Sequence, residues 1–288
     1  MSHSLDASAY RNLLQSFLSE DLGAGDITTE TTVSATQRAR GEAIAKAPLV
    51  LAGIDLFAEV FRLLDASAKA EIICRDGEEL TPGQVPVRIH ASARALLSGE
   101  RVALNLLQRL SGVATQTRRY VRAVAGTSAH ILDTRKTTPG LRALEKYAVL
   151  VGGGQSHRKD LGEAVLIKEN HIRLAGGVAA ALVAAQAAKG RAAWIEIEVT
   201  NLDELHAALA HAPDVILLDN MSPRLVRQAV EQVRARDPLR KIRTEASGGI
   251  TLANVREFAE AGVDWISVGA LTHSAPAVDL SFEIEPML

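Results

Sequence analysis

The sequence has few of the residues that mark disulfide-bonded or membrane proteins. Cys74 is the single cysteine among 288 residues, which excludes an internal disulfide and a multi-cysteine zinc site and is typical of a reducing compartment. No apolar run approaches the ~20 residues that cross a bilayer, and the amino terminus lacks the cationic and apolar segments of a secretory signal. We therefore expect a cytoplasmic location and no membrane partner.

Aromatic residues and net charge are also scarce. Aromatic side chains make up 3% of the chain, and the formal net charge at pH 7 is -2. Nucleic-acid-binding domains usually carry a broad basic face and a high isoelectric point, so we expect no nucleic-acid partner. The hydrophobic content of 47% is ample for a substantial core.

The first part of the chain has a mixed pattern of helices and strands. It predicts a small α+β domain with short helices over 7–19 and 54–64 and strands near 40–47, 70–74 and 85–91. The segment 20–30 between them is predicted to be a polar loop. Apolar residues at helical spacing then predict one long connecting helix over 96–124, interrupted at Gly112.

A different pattern repeats downstream. Six apolar runs (HILD, VLIK, WIEIEV, VILLD, KIRTEA and WISVG) alternate with helical segments, which is typical of βαβ units and a parallel sheet. Thr138 with Pro139, Asn201 with Glu204, Ser222 with Pro223, and Thr251 are predicted helix starts. The spacing favours a (β/α) barrel, closed or partly closed, over an open doubly wound sheet.

Charged and glycine residues cluster where these strands end. Local clustering of cations in a chain without overall basicity indicates a pocket for a small anionic ligand. In both architectures, chemistry occurs at the carboxyl ends of the strands. The residues at those ends are Arg135, Lys136, Lys168, Glu198, Asp219, Ser247, Gly248, Gly249 and Gly269.

Each of these features has more than one interpretation. Glu198 and Asp219 suit Mg²⁺ bound beside substrate phosphates, and they equally suit ion pairs with Lys168 or Arg135. Glu196 lies on the same strand face as Glu198, and we interpret it as a structural counter-ion. The glycines after the last two strands fit a phosphate site or simple turns.

Several longer motifs resemble the quinolinate phosphoribosyltransferase family over nearly the whole chain. They are EDLGAGDITTE at 20–30, GERVALNLLQRLSGVAT at 99–115, DTRKTTPGLRALEKYAV at 133–149, GGGQSHR at 152–158, LIKENH at 166–171, IEIEV at 195–199, LLDN at 217–220 and ASGGI at 246–250. One position departs from the family pattern: Ser156 stands where the family usually has asparagine. Serine keeps a hydrogen-bonding group but has a shorter reach.

The resemblance implies an architecture and a reaction. The fold would be an incomplete (β/α) barrel of six to seven strands over 111–274, with an α+β sandwich domain over 1–110 on which the tail 275–288 packs. The family transfers phosphoribosyl from phosphoribosyl pyrophosphate to quinolinate with Mg²⁺, releasing pyrophosphate and CO₂ and forming nicotinate mononucleotide for NAD synthesis. The working unit would be a homodimer in which Arg101 reaches the partner's active site.

The resemblance also implies roles for individual residues. Catalysis would depend on Lys136, Lys168, Glu198 and Asp219, with Glu198 and Asp219 also binding the metal. Substrate binding would involve Arg101, Thr134, Arg135, Lys136, His157, Arg158, Lys168, Glu198, Asp219, Ser247, Gly248, Gly249, Val268, Gly269 and Ala270.

Two other functions are compatible with parts of the pattern. A paralogue of the same fold would act on another pyridine acid or an unrelated acceptor, which the intact DTRKTTPG motif and the many cations disfavour. A non-catalytic sensor of phosphate ligands would not need both Glu198 and Asp219.

Overall fold

The computed structural model of the protein describes residues 5–187 and 189–287, which form two compact units. The first unit contains the chain up to Gln116, the segment Leu150–Gly152 and the tail from Ala275. The second contains Thr117–Val149 and Gly153–Ser274. The expected boundary is 110–111, and the contacts place the break along the chain at 116–117.

The first unit combines helices with antiparallel strands. After a short 3-10 helix at Ala7–Tyr10, its elements are α1 (Arg11–Leu22), α2 (Ile27–Thr32), β1 (Arg38–Ala45), β2 (Leu49–Val50), α3 (Ile54–Leu64), β3 (Lys69–Ile72), β4 (Glu79–Leu80), β5 (Val87–Ser92) and α4 (Ala93–Ala123), which continues into the second unit.

The second unit alternates strands with helices. Its elements are β6 (His130–Leu132), α5 (Arg142–Val151), β7 (Val165–Ile167), α6 (Glu169–Ala175), α7 (Val178–Gln186), β8 (Ile195–Val199), α8 (Leu202–Leu209), β9 (Val215–Asp219), α9 (Pro223–Arg236), β10 (Arg243–Ser247), α10 (Val255–Glu260), β11 (Trp265–Ser267) and α11 (Ala270–His273), after which β12 (Leu280–Pro286) belongs to the first unit.

The tail completes the antiparallel sheet of the first unit. The strand order is β12-β1-β5-β3, and β12 runs antiparallel to β1 with Ala43 opposite Phe282. The ring of Phe282 packs against Phe57 and Phe61 of α3, with centroid distances of 5.6 and 5.3 Å. A Cβ atom at Gly41 would lie 2.1 Å from the Phe282 ring, so only glycine fits there.

Two details of the first unit differ from expectation. Helix α4 runs through Gly112 without interruption. The glycine instead allows a close approach of the tail, because a Cβ atom there would lie 2.1 Å from the carbonyl oxygen of Pro276. The polar segment 20–30 contains the start of α2, where the Asp26 carboxylate caps the helix by accepting the Thr29 N–H at 3.0 Å.

The six apolar runs of the second unit form the six strands of one parallel sheet. The strand order is β6-β11-β10-β9-β8-β7, and the register places Ser247 beside Asp219. Strands β6 and β7 stand at the two edges, so the sheet does not close among the described residues. Gln155 forms a single parallel bridge to Leu132 of β6. The predicted incomplete barrel is therefore confirmed.

Capping side chains fix two of the predicted helix starts. The Ser222 hydroxyl accepts the Leu225 N–H, with Pro223 at the first position of α9, and the Asn201 side chain accepts the Glu204 N–H at the start of α8. The predictions at Thr138 and Thr251 are wrong, because α5 begins only at Arg142 and α10 only at Val255. Within the described ranges, none of the helices has the length and apolar content needed to cross a bilayer.

Candidate active site

A cavity of about 650 Å³ lies at the carboxyl ends of the parallel strands, within the second unit. It brings together eleven of the predicted site residues. These are Thr134, Arg135, Lys136, His157, Arg158, Lys168, Glu198, Asp219, Ser247, Gly248 and Gly249. The cavity is also lined by Leu166, Glu169, Asn170, Leu217, Asn220, Glu245 and Ser267.

Four predicted site residues are not among those lining the cavity. Arg101 lies on the part of α4 that belongs to the first unit, with a side chain that is 60% exposed. Val268, Gly269 and Ala270 follow β11 and are not among the lining residues. The backbone N–H of Val268 donates to the carbonyl of Leu132 at 3.0 Å, which leaves it no free hydrogen for a ligand.

Two guanidinium groups of like charge face the cavity. Burial lowers the pKa of Arg158, and the positive charge of Arg135 lowers it further. Nη1 of Arg158 donates to the Ala164 carbonyl at 2.9 Å. Nε of Arg135 is buried and has no hydrogen-bond partner among the described residues. Repelling cations with an unused donor favour an anion between them, and the planar fork of arginine matches a carboxylate.

The imidazole of His157 faces two buried glutamates. Its Nε2 lies 3.0 Å from Oε2 of Glu196 and 3.5 Å from Oε2 of Glu245, while the Arg158 N–H points at its Nδ1 at 2.8 Å. Trp194 donates its indole N–H to the same Glu196 oxygen at 3.1 Å. Burial lowers the pKa of His157, but the two carboxylates outweigh that effect and raise it. Glu196 therefore lies where a structural counter-ion is expected.

Glu245 is not among the predicted site residues, although it lines the cavity and is 1% exposed. Burial raises the pKa of its carboxyl, and the negative charge of Glu196 raises it further. Strand spacing carries the missing signal, because Glu245 stands two residues before Ser247 and so shares its face of β10. Asp133 and Lys146 are likewise not among the predicted site residues, and they form a buried ion pair.

Glu198 and Asp219 form the acidic side of the cavity at the ends of β8 and β9. Burial raises the pKa of both carboxyls, and the charge of Asp219 raises that of Glu198 further. Nζ of Lys168 lies 3.8 Å from Oε2 of Glu198, and the Asn220 amide donates to Asp219 at 2.6 Å. Two adjacent carboxylates that repel each other can be stabilised by a cation, and their oxygens are the ligands that Mg²⁺ prefers.

The glycines after β10 permit a tight turn at the cavity wall. Gly248 has a φ of +90°, and a Cβ atom there would lie 2.2 Å from Oδ1 of Asn220. Only glycine combines that backbone conformation with that approach. A Cβ atom at Gly249 would meet no atom within 4 Å, so this part of the backbone faces open space. The turn can therefore approach a ligand closely.

Comparison with family models decides the family. The model described as "Quinolinate phosphoribosyl transferase, N-terminal domain" matches residues 26–111, and its C-terminal counterpart matches residues 113–283. The chain belongs to the quinolinate phosphoribosyl transferase family. The family resemblance of the motifs is thereby confirmed.

Curated relatives agree with this assignment over nearly their full length. The protein is 43% identical to the probable nicotinate-nucleotide pyrophosphorylase (carboxylating) of Bacillus subtilis, covering 95% of this chain and 93% of that one. It is 43% identical to the Mycobacterium leprae nicotinate-nucleotide pyrophosphorylase (carboxylating), covering 96% and 97%. The human protein of that name is 39% identical, covering 94% and 90%.

Solved structures of family members share the fold. The crystal structure of NadC from Streptococcus pyogenes superimposes with a TM-score of 0.93 at 38% identity, covering 99% of this chain and 100% of that one. The nicotinate-nucleotide pyrophosphorylase of Francisella tularensis gives a TM-score of 0.91 at 36% identity, covering 98% of both chains.

Proposed function

We propose that the protein transfers the phosphoribosyl group of phosphoribosyl pyrophosphate to quinolinate, with decarboxylation, to give nicotinate mononucleotide, pyrophosphate and CO₂. This is a step of NAD synthesis. The family assignment supports the reaction type. One observation carries the proposal: a single cavity holds the repelling cations Arg135 and Arg158 beside the repelling carboxylates Glu198 and Asp219. A dicarboxylate acceptor and a sugar diphosphate with its cation would relieve both repulsions.

The cationic side of the cavity would bind the acceptor. Quinolinate carries two adjacent carboxylates, which need several donors. Arg135 and Arg158 offer planar forks for bidentate bonds, and Lys168 offers a compact charge on a half-exposed side chain. Thr134, Lys136 and His157 line the same cavity and complete the acceptor and pyrophosphate side.

The acidic side would bind the ribose and the metal. Mg²⁺ fits the donor set, because Glu198 and Asp219 supply hard oxygen ligands whose mutual repulsion a divalent cation removes. When bound, the metal would neutralise charge on the pyrophosphate leaving group. Ser247, Gly248 and Gly249 would hold the 5-phosphate through backbone N–H groups, and Val268, Gly269 and Ala270 would support that subsite.

The chemistry needs positioning and fixed charge, with no covalent enzyme intermediate. The pyridine nitrogen would attack the anomeric carbon as the bond to pyrophosphate breaks, and the acidic side chains would stabilise the developing positive charge on the ribose. The ribosylated nitrogen would then accept electron density from the carbon–carboxylate bond as CO₂ leaves. That ring carbon takes up a proton, which yields nicotinate mononucleotide.

The working unit would be a cytoplasmic homodimer with shared active sites. Arg101 carries an exposed guanidinium on α4, outside the residues that line the cavity of its own chain. We infer that it reaches the cavity of the partner subunit and adds a further cation for the acceptor.

One assay tests the proposed reaction. The purified protein is incubated with quinolinate, phosphoribosyl pyrophosphate and Mg²⁺, and CO₂ and nicotinate mononucleotide are measured. Both products should form together, while nicotinic acid in place of quinolinate should give little product. Turnover with a different acceptor would favour a paralogue of altered specificity. Binding of phosphoribosyl pyrophosphate without turnover would favour a sensor and contradict the proposal.

A further inference from the structure

A buried lysine lies behind the loop that carries His157 and Arg158. Lys146 of α5 is 6% exposed, and its ammonium group has three acceptors for its three hydrogens. These are Oδ1 of Asp133 at 2.5 Å, the carbonyl oxygen of His157 at 2.9 Å and the hydroxyl of Ser156 at 3.2 Å. The ammonium group is therefore fully used inside the protein and is not available to a substrate.

The Asp133 carboxylate also bonds to this loop, at Ser156 and His157. Asp133 follows β6 and is 0% exposed. Its Oδ1 accepts the backbone N–H of His157 at 2.9 Å, and its Oδ2 accepts the Ser156 hydroxyl at 3.0 Å. Both backbone hydrogen-bonding groups of His157 are thus fixed by side chains of opposite charge, and Ser156 connects the two.

Backbone bonds hold the preceding residues in the same place. The N–H of Gln155 donates to the Ile131 carbonyl at 2.8 Å, and the N–H of Asp133 donates to the Gln155 carbonyl at 3.2 Å. Gly154 has no room for a side chain, since a Cβ atom would lie 2.8 Å from Val149 and 2.9 Å from Thr117. The loop is therefore held against β6 through one parallel bridge, between Gln155 and Leu132.

The buried pair is costly, which argues for a role beyond stability. Burial raises the pKa of the Asp133 carboxyl against the opposing effects of Lys146 and the hydrogen bonds. Buried ion pairs rarely stabilise a protein more than apolar residues of similar volume would. The loop, however, has to hold Arg158 near Arg135, and these like charges repel when no anion lies between them. A rigid anchor for the loop opposes that repulsion.

We propose that Asp133, Lys146 and Ser156 form a clamp that positions the loop of His157 and Arg158, so that the Arg158 guanidinium can receive a carboxylate of the acceptor. The clamp residues are positioning residues, since the side-chain hydrogen bonds described for them are with one another and with the loop. This inference rests on the proposed function. It also explains how serine serves at position 156: one hydroxyl donates to Asp133 and accepts from Lys146, and an asparagine amide offers the same two functions.

The test separates acceptor binding from donor binding. In Ser156→Ala, the KM for quinolinate should rise about tenfold, which corresponds to the loss of about 1.4 kcal/mol from one hydrogen-bonded link. The KM for phosphoribosyl pyrophosphate should stay within about twofold. Ser156→Asn should restore most of the lost affinity. Lys146→Met should raise the quinolinate KM further, because it leaves the Asp133 carboxylate unpaired.

A matched control removes another ion pair of the same unit. Nη2 of Arg234 bonds to Oδ2 of Asp264 at 2.5 Å, and neither residue lines the cavity. Arg234→Met should lower the melting temperature and leave the ratio of the two KM values unchanged. If the clamp variants behave like Arg234→Met, or if both KM values rise equally, the clamp has no positioning role and the inference is overturned.

The experiment also distinguishes failure of the clamp from failure of the proposed function. Turnover of quinolinate by the unaltered protein tests the function, and the pattern of KM values among its variants tests the clamp. Ser156 is exposed, so its alanine variant is expected to fold even if Lys146→Met does not. Calorimetric titration of folded Ser156→Ala with quinolinate should show the same tenfold weakening, and unchanged affinity would overturn the clamp.

Discussion

Lys168 and Glu198 face each other across the carboxyl ends of β7 and β8, with Nζ 3.8 Å from Oε2. This separation is longer than a hydrogen bond, and the lysine side chain is 52% exposed. A loose pair whose lysine is half-exposed contributes little to stability. Its members are therefore free to engage other groups that enter the cavity.

Replacement of Lys168 should consequently damage turnover far more than folding. Lys168→Ala should lower kcat/KM about 100-fold or more, the usual cost of removing a fixed charge that stabilises a transition state, and Arg135→Ala should have a similar effect. The melting temperature of Lys168→Ala should change little. Steady-state kinetics and thermal unfolding measure the two effects. Lys159→Ala, which removes an exposed lysine of the same unit that does not line the cavity, is the control and should retain full activity.

Replacement of Glu198 should change the metal requirement. Glu198→Gln keeps the shape of the side chain but removes one of two adjacent charges, so about tenfold more Mg²⁺ should be needed for half-maximal rate. A titration of rate against Mg²⁺ at saturating substrates measures this shift, and Asp219→Asn should behave alike. Glu231→Gln changes an exposed glutamate of α9 and should leave the titration unchanged. A rate independent of Mg²⁺ in the unaltered protein would contradict the metal assignment.

Mixing two inactive variants tests the shared site. If Arg101 acts in the partner's cavity, each Arg101→Ala/Lys168→Ala heterodimer contains one intact site and one doubly altered site. Co-expression with different affinity tags and isolation of the mixed dimer should recover about half of the unaltered activity per dimer. Each homodimeric variant alone should stay inactive. No recovery in a dimer verified by mass would show that Arg101 acts within its own chain, and full activity of the Arg101→Ala homodimer would show that it has no role.

The turn after β10 should not tolerate a side chain. Gly248→Ala would place a Cβ atom 2.2 Å from Oδ1 of Asn220, so it should raise the KM for phosphoribosyl pyrophosphate at least tenfold and lower the melting temperature. Gly176→Ala is the control, because that glycine also has a positive φ, of +89°, but open space around it. It should lose only about 1 kcal/mol of stability from backbone strain and keep its affinity for the donor.

Asp65 should give the first unit a pH-dependent contribution to stability. Burial alone would raise the pKa of Asp65, but bonds from Ser67 and Ser92 and the charge of Arg38 lower it to about 2. Because the pKa in the folded state lies below that in the unfolded state, the stabilisation is present above the unfolded value of 3.8 and is lost as the pH falls toward 2. Asp65→Asn should cost roughly 1–2 kcal/mol at pH 7 and progressively less below pH 4.

Unfolding by urea at several pH values measures this difference. An unchanged gap between the two proteins at pH 7 and pH 3 would show that the carboxylate charge is not the source of the stabilisation.

Local sequence patterns predicted those elements whose signal lies within the element itself. Helix α3 begins and ends at the predicted residues 54 and 64, because its apolar face repeats with helical spacing. Strand β12 was not predicted, since a short tail becomes a strand only when β1 offers its edge. The start of α2 was missed because one capping side chain, Asp26, decides it.

The same distinction applies to the candidate site. Strand ends mark Lys168, Glu198 and Asp219, so the sequence predicted that they share a cavity. Asp133 and Lys146 were missed, because their pairing joins β6 to α5 and depends on how the two pack. Glu245 was missed because only residues at strand ends were predicted, and Glu245 stands two residues before Ser247, the end of β10.

The open edge of the parallel sheet has a consequence for how this enzyme family can diverge. Thr134, Arg135, Lys136, His157, Arg158 and Lys168 all lie on the stretch that crosses from one edge strand, β6, to just beyond the other, β7. The acidic pair and the glycine turn come from the contiguous strands β8, β9 and β10. Under the proposed function, the acceptor and the ribose phosphate would therefore be bound by separate segments of the chain. The residues that bind the acceptor could then change while the acidic pair and the glycine turn stay as they are.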